Sequence, residues 1–396
     1  LRKELQVLVV SNGYGEDLVG ARLIKALDSS ISFKVLPIVG MGRAYETLRV
    51  DLLNPRQEMP SGGFIRKPGA FFSDICSGLI GLTLGQMGTL RKLRKKVSLS
   101  ICIGDTYVLW LAGFCAGGKI VFLPTAKSDY MERHFWIERF LMRKYARVVI
   151  TRDELTAQSL RKSGINAQYL GNVLMDCFEI TGVDFGINSS DVVIGLLPGS
   201  RKDAYLNIED MLDIIPGIYL LNPGDKSPPV FMLAMSSTLN LINIRAIAER
   251  AYWIFNSPVS DQINKGLTGI LTKKINGIDA VIFISDRFGD VINRANLVIG
   301  LAGSANEQAA GLGKPLITFP GRGTQARKSF LKKQAKLLGR AVSFVSKRRV
   351  PQEVWNILGN PYRIEEMGKE GKARMGGSGA INKIAELILK DFINES

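Results

Sequence analysis

Short apolar runs of four to seven residues, bounded by Gly, Asn, Ser or Asp, recur along the chain between longer stretches of helical period. In the first half they fall at 6–11, 33–39, 99–103, 119–123, 147–151 and 167–170. In the second half they fall at 192–197, 230–234, 280–284, 297–301, 316–319 and 342–345. Several are nearly unbroken in Val, Ile and Leu, the pattern of parallel strands covered on both faces. The segment after the first run places Leu18, Ala21, Leu23, Ile24 and Leu27 on or near one helical face. Strand, glycine-bearing turn and helix together make the first unit of a doubly wound sheet.

A polar, glycine-bearing stretch at 181–191 reads as a linker. A chain of 396 residues exceeds one ordinary core. The reading is therefore an α/β protein of two Rossmann-like domains facing a cleft, 1–180 and 181–350. The tail, 351–396, is helical in pattern, with Ile381, Ile384, Leu387 and Ile388 in register.

Two segments break the alternation. Residues 71–84 are apolar and glycine-rich with Asp74 as their one charge, and they lead to the basic run Arg91-Lys92-Leu93-Arg94-Lys95-Lys96. Two readings stand: a core helix with a basic C-terminal cap, or a segment lying in a membrane interface with 71–96 on anionic lipid. Residues 130–145 read as an amphipathic helix whose Arg133, Arg139, Arg143 and Lys144 make a solvated face.

Charge then narrows the partners. Lys and Arg number 52 against 36 Asp and Glu, a net +16 that attracts anions. No zinc-finger spacing, basic zipper or RNP-like motif accompanies it, so no nucleic acid is expected and the anion must be argued from sites. Cys76, Cys102, Cys115 and Cys177 are scattered without a CxxC pair, which suits reduced thiols in a cytoplasmic protein. His134 is the only histidine, which argues against a zinc site and a His-dependent triad. The first residues run into a strand without a secretory pattern, so no signal peptide is expected.

The strand 192–197 ends in Pro198-Gly199-Ser200-Arg201, which puts backbone amides and a guanidinium fork at its carboxyl end. That is where open α/β sheets bind ligands, and the fork suits phosphate oxygens; a surface loop with a solvated arginine is the alternative. The turn Asn12-Gly13-Tyr14-Gly15-Glu16-Asp17 is not a GxGxxG fingerprint, and no acid ends a second strand, so NAD is disfavoured.

Asp17-Leu18-Val19-Gly20-Ala21-Arg22-Leu23-Ile24, Ile103-Gly104-Asp105, Leu196-Leu197-Pro198-Gly199-Ser200-Arg201 and Gly303-Ser304-Ala305-Asn306-Glu307-Gln308-Ala309-Ala310 followed by Gly313-Lys314-Pro315 occur in the order and spacing of the lipid-A-disaccharide synthase family, which the chain resembles over most of its length. The resemblance implies a GT-B fold with a C-terminal UDP-sugar domain, an N-terminal acceptor domain and a final helix crossing back to the first. It implies an inverting glycosyltransferase, peripheral at the cytoplasmic face of a membrane, acting on a lipid-linked acceptor with UDP-sugar as co-substrate and neither cofactor nor metal. Asp105 matches the catalytic aspartate; locally it is equally an N-cap for the helix that follows. Gly199, Ser200, Arg201 and the helix start at Gly303 and Ser304 would meet the UDP phosphates, and Glu307 or Gln308 the ribose. Gln325 resembles the sugar-contacting glutamine of the related transferase of peptidoglycan precursor synthesis, and Asn172 is placed beside the cleft. Asn12, Gly13, Gly15 and Glu16 stand as the acceptor-side loop, where the acid is displaced from its place in the family's own turn. Val108 replaces a second family aspartate, and the family's ribose glutamate aligns with Gln308. Alternatives within reach of the same residues are a UDP-sugar 2-epimerase and a non-catalytic nucleotide-sugar or lipid-binding protein.

Overall fold

The computed structural model describes residues 5–13, 15–27, 31–58, 78–201, 203–224, 227–323 and 326–393. It divides into two units, Leu1–Cys177 with Ser378–Ser396, and Phe178–Gly377. In the first, seven strands are β1 Gln6–Ser11, β2 Ser32–Pro37, β3 Asp51–Leu52, β4 Leu99–Ile103, β5 Lys119–Leu123, β6 Val148–Thr151 and β7 Ala167–Tyr169. They pair in parallel in the order β3-β2-β1-β4-β5-β6-β7. Because strand side chains alternate, Val7 and Val9 of β1 enter one layer, with helices Gly15–Ala26 and Ala380–Ile388. Leu8 and Val10 enter the other, with helices Leu79–Lys92 and Thr106–Cys115. Both faces of β1 are thus buried, which is why its run is unbroken. The strand order reverses direction between β1 and β4, a switch point that opens a crevice at the strand ends.

The second unit holds β8 Val193–Leu197, β9 Val230–Ala234, β10 Ile254–Asn256, β11 Gly269–Ile275, β12 Ile278–Ser285, β13 Leu297–Gly300, β14 Leu316–Thr318 and β15 Val342–Phe344. Their order is β10-β11-β12-β9-β8-β13-β14-β15, with the switch between β8 and β13. All pairs are parallel except those of β11 with β10 and β12. Asn276 and Gly277, both left-handed at φ 49 and 79, close the β11–β12 hairpin as an Asn-Gly turn of the I′ kind.

Three readings are corrected. Strands β3, β10 and β11 add to the expected set. Residues 181–191 are no free linker: Thr181 N, Thr181 Oγ1 and Gly182 N donate to the buried carboxylate of Asp290 at 2.7, 2.9 and 2.8 Å, and Phe185 is buried. The helical tail divides as well. Helices Val350–Leu358 and Pro361–Met375 belong to the second unit, where Trp355 Nε1 donates to Ile218 O at 2.8 Å, and only the chain from Ser378 returns to the first. There Asp176 accepts from Gly379 N (2.5 Å) and Ile381 N (2.8 Å), fixing the start of the last helix.

Of the apolar–basic segment, 71–77 lies outside the described residues. Helix Leu79–Lys92 packs Leu82 and Leu90 inward, with Gln86 Nε2 donating to Ile38 O at 2.9 Å. Among the described residues, no helix is long and apolar enough to cross a membrane.

Candidate active site

In the second unit the site is built on the ends of two neighbouring strands. Gly300 pairs with Leu197, and Leu301 N donates to Leu197 O at 2.9 Å, so the turn after β8 and the turn after β13 lie side by side. Gly199 sits at φ +99, a conformation that favours glycine in the 198–201 turn. Helix Ala204–Leu220 supplies the clamp: buried Asn207 donates through Nδ2 to Pro198 O (2.8 Å) and accepts from Gly323 N (3.2 Å). Thr238 Oγ1 donates to Ser200 O from the far side. Arg201 emerges half-buried, and its carbonyl accepts from Ala204 N at 2.8 Å.

The turn after β13 is held from within. A Cβ on Gly300 would lie 1.9 Å from Asn306 Oδ1. Asn306 Nδ2 donates to Gly300 O (3.2 Å) and to Gln334 Oε1 (3.0 Å), and Gln334 Nε2 donates to Ala302 O and Gly303 O at 3.2 and 2.9 Å. Side chains thus occupy the turn's carbonyls, and helix Ser304–Gly311 begins beyond them, with Asn306 N donating back to Gly303 O at 3.2 Å. Ser304 is exposed, Glu307 half-buried and Gln308 buried, so Glu307 is the more open of the ribose candidates. Asp210 anchors the adjoining loop, accepting from Arg322 N (3.2 Å) and Lys347 Nζ (2.8 Å). Gln325 lies outside the described residues.

In the first unit the switch-point crevice is acidic. Asn12 is stitched between strands, donating to Ile103 O (3.1 Å) and accepting from Val39 N (3.2 Å). Gly104, at φ +138, abuts it so closely that a Cβ would lie 2.7 Å from Asn12 Cγ; Gly13 would meet Val39 O at 2.3 Å. Gly15 is exposed at the head of the first helix, with open space around its Cα. Asp105 is exposed and caps helix Thr106–Cys115, Oδ1 accepting from Tyr107 N at 2.9 Å.

Glu16 is half-buried and accepts from Thr125 Oγ1 at 3.1 Å. Burial pushes its carboxyl above the usual range, against the Thr125 bond, and the nearby Asp105 charge pushes the same way while Arg152 opposes. Arg152 Nη1 donates to Thr125 O at 3.1 Å, and both residues line a small pocket with Leu123, Thr151, Gly171 and Val173. Asn172, beside that pocket, is buried; Oδ1 accepts from Leu174 N, and Nδ2 has no hydrogen-bond partner. The neighbouring acid, Asp17, has a different task. It is buried and accepts from Ser11 Oγ (2.6 Å), which in turn accepts from Tyr45 OH (3.0 Å). His134 is buried too, and desolvation lowers its pKa, with its Nδ1 3.8 Å from Asp129 Oδ1.

Thr125, Arg152, Asn207, Asp210 and Gln334 were not singled out from the sequence. Each acts on a partner far along the chain, Asn207 on Gly323 116 positions away, and no local spacing marks them. Chemically, the second unit offers amides and a guanidinium to an anion, and the first offers carboxylates that can take a proton.

No family model matches the chain, and a search of curated proteins finds no match. Solved structures match over nearly its whole length. A putative UDP-N-acetylglucosamine 2-epimerase from Listeria monocytogenes is 16% identical, covering 99% of this chain and 98% of its own, at a TM-score of 0.60. MurG from Acinetobacter baumannii is 14% identical over 98% and 99%, at 0.57. A UDP-glucose: anthocyanidin 3-O-glucosyltransferase in complex with UDP is 11% identical over 100% of both chains, at 0.58. Likeness at these identities establishes the fold, two α/β units with parallel Rossmann-like sheets of the GT-B kind.

Proposed function

We propose that the chain is an inverting glycosyltransferase that moves a sugar of N-acetylglucosamine type from a UDP-sugar to a lipid-linked acceptor, without a metal ion, at the inner face of the cytoplasmic membrane. One observation carries the donor half. The Pro198–Arg201 turn and the helix start at Gly303-Ser304 stand side by side on paired strands, both clamped by buried amide side chains. Amides of Gly199 and Ser200, the Arg201 guanidinium and the amides beyond Ser304 would take the charge that develops on departing UDP. Glu307, with Gln308 behind it, would receive the ribose, and Gln325 the sugar. On the acceptor side, the loop Asn12–Glu16 shapes the crevice and Asp105 takes the proton of the attacking hydroxyl. Asn172 supports the same edge.

The resemblance in motifs to lipid-A-disaccharide synthases and the fold shared with UDP-sugar enzymes support this reading. Calorimetric titration of UDP and UDP-N-acetylglucosamine tests it. Wild type should bind at micromolar concentration, and Arg201→Ala should weaken binding by at least roughly tenfold, the worth of a charge-assisted phosphate contact. Wild type that binds no uridine nucleotide would overturn the proposal. The second reading, a UDP-sugar 2-epimerase, is favoured by the fold shared with such epimerases. It predicts conversion of the donor to its 2-epimer without any acceptor, which product analysis reads directly.

A further inference from the structure

The positive charge of this chain is concentrated in one stretch. Between Gln308 and Gln352 the sequence has eleven Lys or Arg and no Asp or Glu, against a net +16 for all 396 residues. The stretch contains β14, helix Lys328–Leu338 and β15, so the topology says where those charges stand. β14 pairs in parallel with β13 and with β15, and β13 with β8, so the four strands end at one edge of the sheet. That edge carries Arg201 after β8 and the Gly303-Ser304 helix start after β13. To it the chain after β14 brings Arg322, Arg327 and Lys328, and the chain after β15 brings Lys347, Arg348 and Arg349. Neighbouring strands lie about 4.8 Å apart, which puts β15 roughly 10 Å from β13 and roughly 15 Å from β8.

Helix Lys328–Leu338 leads away from this edge. Its inner side clamps the turn after β13 through Gln334, and its outer side exposes Lys328, Lys332, Lys333 and Lys336. Part of the charge is neutralised: Arg322 pairs with Glu209 and Asp210, Lys347 with Asp210 and Asp213, and Arg340 with Glu366. On the helix packed alongside, Pro361–Met375, Glu365 and Glu370 are engaged by Lys369 and Arg374. Among the described residues, Arg327, Lys328, Lys332, Lys336, Arg348 and Arg349 make no ion pair, and all six are exposed. Like charges held together repel one another and burden the fold, whereas a cleft lined by one sign raises the local concentration of its counter-ion.

We infer that this rim steers the nucleotide-sugar: Arg327, Lys328, Arg348 and Arg349 draw its diphosphate to the carboxyl edge of the sheet, where the Arg201 turn holds it. The inference rests on the proposed donor site and adds to it a capture step by groups outside the contact. Distance makes the step possible. At about 0.01 M salt the Debye length is ~30 Å, longer than the separation of rim and turns; at about 1 M it is ~3 Å and the rim is screened. A rim charge acts on the association rate and its salt dependence, whereas a charge in direct contact, as Arg201 would be, acts on dissociation.

Stopped-flow mixing of the full chain with fluorophore-labelled UDP tests it. Wild-type association should slow at least about tenfold between about 0.01 M and about 1 M salt, with dissociation changing far less. Arg348→Glu with Arg349→Glu, and separately Lys328→Glu with Lys332→Glu, should each slow association about threefold or more at low salt and match wild type at high salt. Lys274→Glu is the control. It lies by the β11–β12 hairpin at the opposite edge of the same sheet, and it should associate as wild type does. Equal slowing in that variant would reduce the effect to net charge and overturn the inference. So would rim variants that associate as wild type at low salt, or that change dissociation in place of association. UDP that binds at a rate indifferent to salt would overturn the steering and leave the donor site standing. UDP that binds at no salt concentration would overturn the donor site, and the steering with it.

Discussion

Asp105 has one observed task, capping a helix, and one proposed task, taking a proton, and one substitution separates them. Its carboxylate caps helix Thr106–Cys115 through Tyr107 N, and asparagine accepts the same bond but takes no proton. Asp105→Asn should therefore keep both the melting temperature and UDP affinity while lowering turnover by roughly 10²–10⁴-fold, the worth of a positioned base. Asp105→Ala should lose about 1 kcal/mol of stability in addition. Wild-type turnover in the asparagine variant would remove the base from this position. Glu16 makes a separate prediction through pH. Its pKa is raised by burial, so the folded state holds the proton more tightly than the unfolded chain does. Its contribution to stability is present below the ordinary carboxylate range and is lost as pH rises through the raised value. Glu16→Gln should melt with wild type near pH ~4 and above it near pH ~7, where the buried charge burdens wild type alone. Parallel melting curves at both pH values would contradict the assignment.

At the scale of elements, the 198–201 turn, where we propose the donor phosphates bind, depends on a helix that follows it. Asn207→Ala would strand Pro198 O and Gly323 N, both now satisfied by one side chain. The expected cost is about 1–3 kcal/mol by denaturant unfolding. UDP binding should also weaken, because the 198–201 turn would no longer be held; an unchanged affinity would show that the turn is rigid without it. The sequence made the strands legible where both faces are buried, as in Val192-Val193-Ile194-Gly195-Leu196-Leu197. It hid β11, whose Lys273 and Lys274 interrupt the apolar run, although Asn276-Gly277 marked the hairpin. It also marked the amphipathic stretch 130–145 and set its basic residues on the solvated side, but gave no sign that aromatics would lie there with them. Helix Trp136–Tyr145 answers by burying Met142 and leaving its aromatics outside, a choice made by the neighbouring helix and sheet. The candidate site divides in the same way. The strand-end motifs were readable, whereas Asn207, Gln334 and Arg152 join positions that only the folded chain brings together.

At the scale of the molecule, the chain passes from the first unit to the second after Cys177 and returns after Gly377, and the returning segment completes the first core. Ile381, Ile384, Ile388 and Phe392 are buried in the layer that also holds Val7 and Val9, and Asp176 fixes where that segment starts. Burial of each such side chain is worth about 1.5–3 kcal/mol. Together they are comparable to the whole stability of a domain, roughly 5–15 kcal/mol. Ending the chain after Gly377 should therefore abolish cooperative unfolding of the first unit. The second unit, whose hydrophobic core lies entirely within Phe178–Gly377, should keep its transition. If the donor site is where we place it, UDP should raise the midpoint of that surviving transition, because a ligand bound only to the folded state stabilises it by mass action. Scanning calorimetry with and without UDP separates the possibilities. A truncated chain that melts as wild type would make the returning segment dispensable, and loss of both transitions would make folding of the second unit depend on the first. A surviving transition that UDP does not move would take the nucleotide away from the second unit.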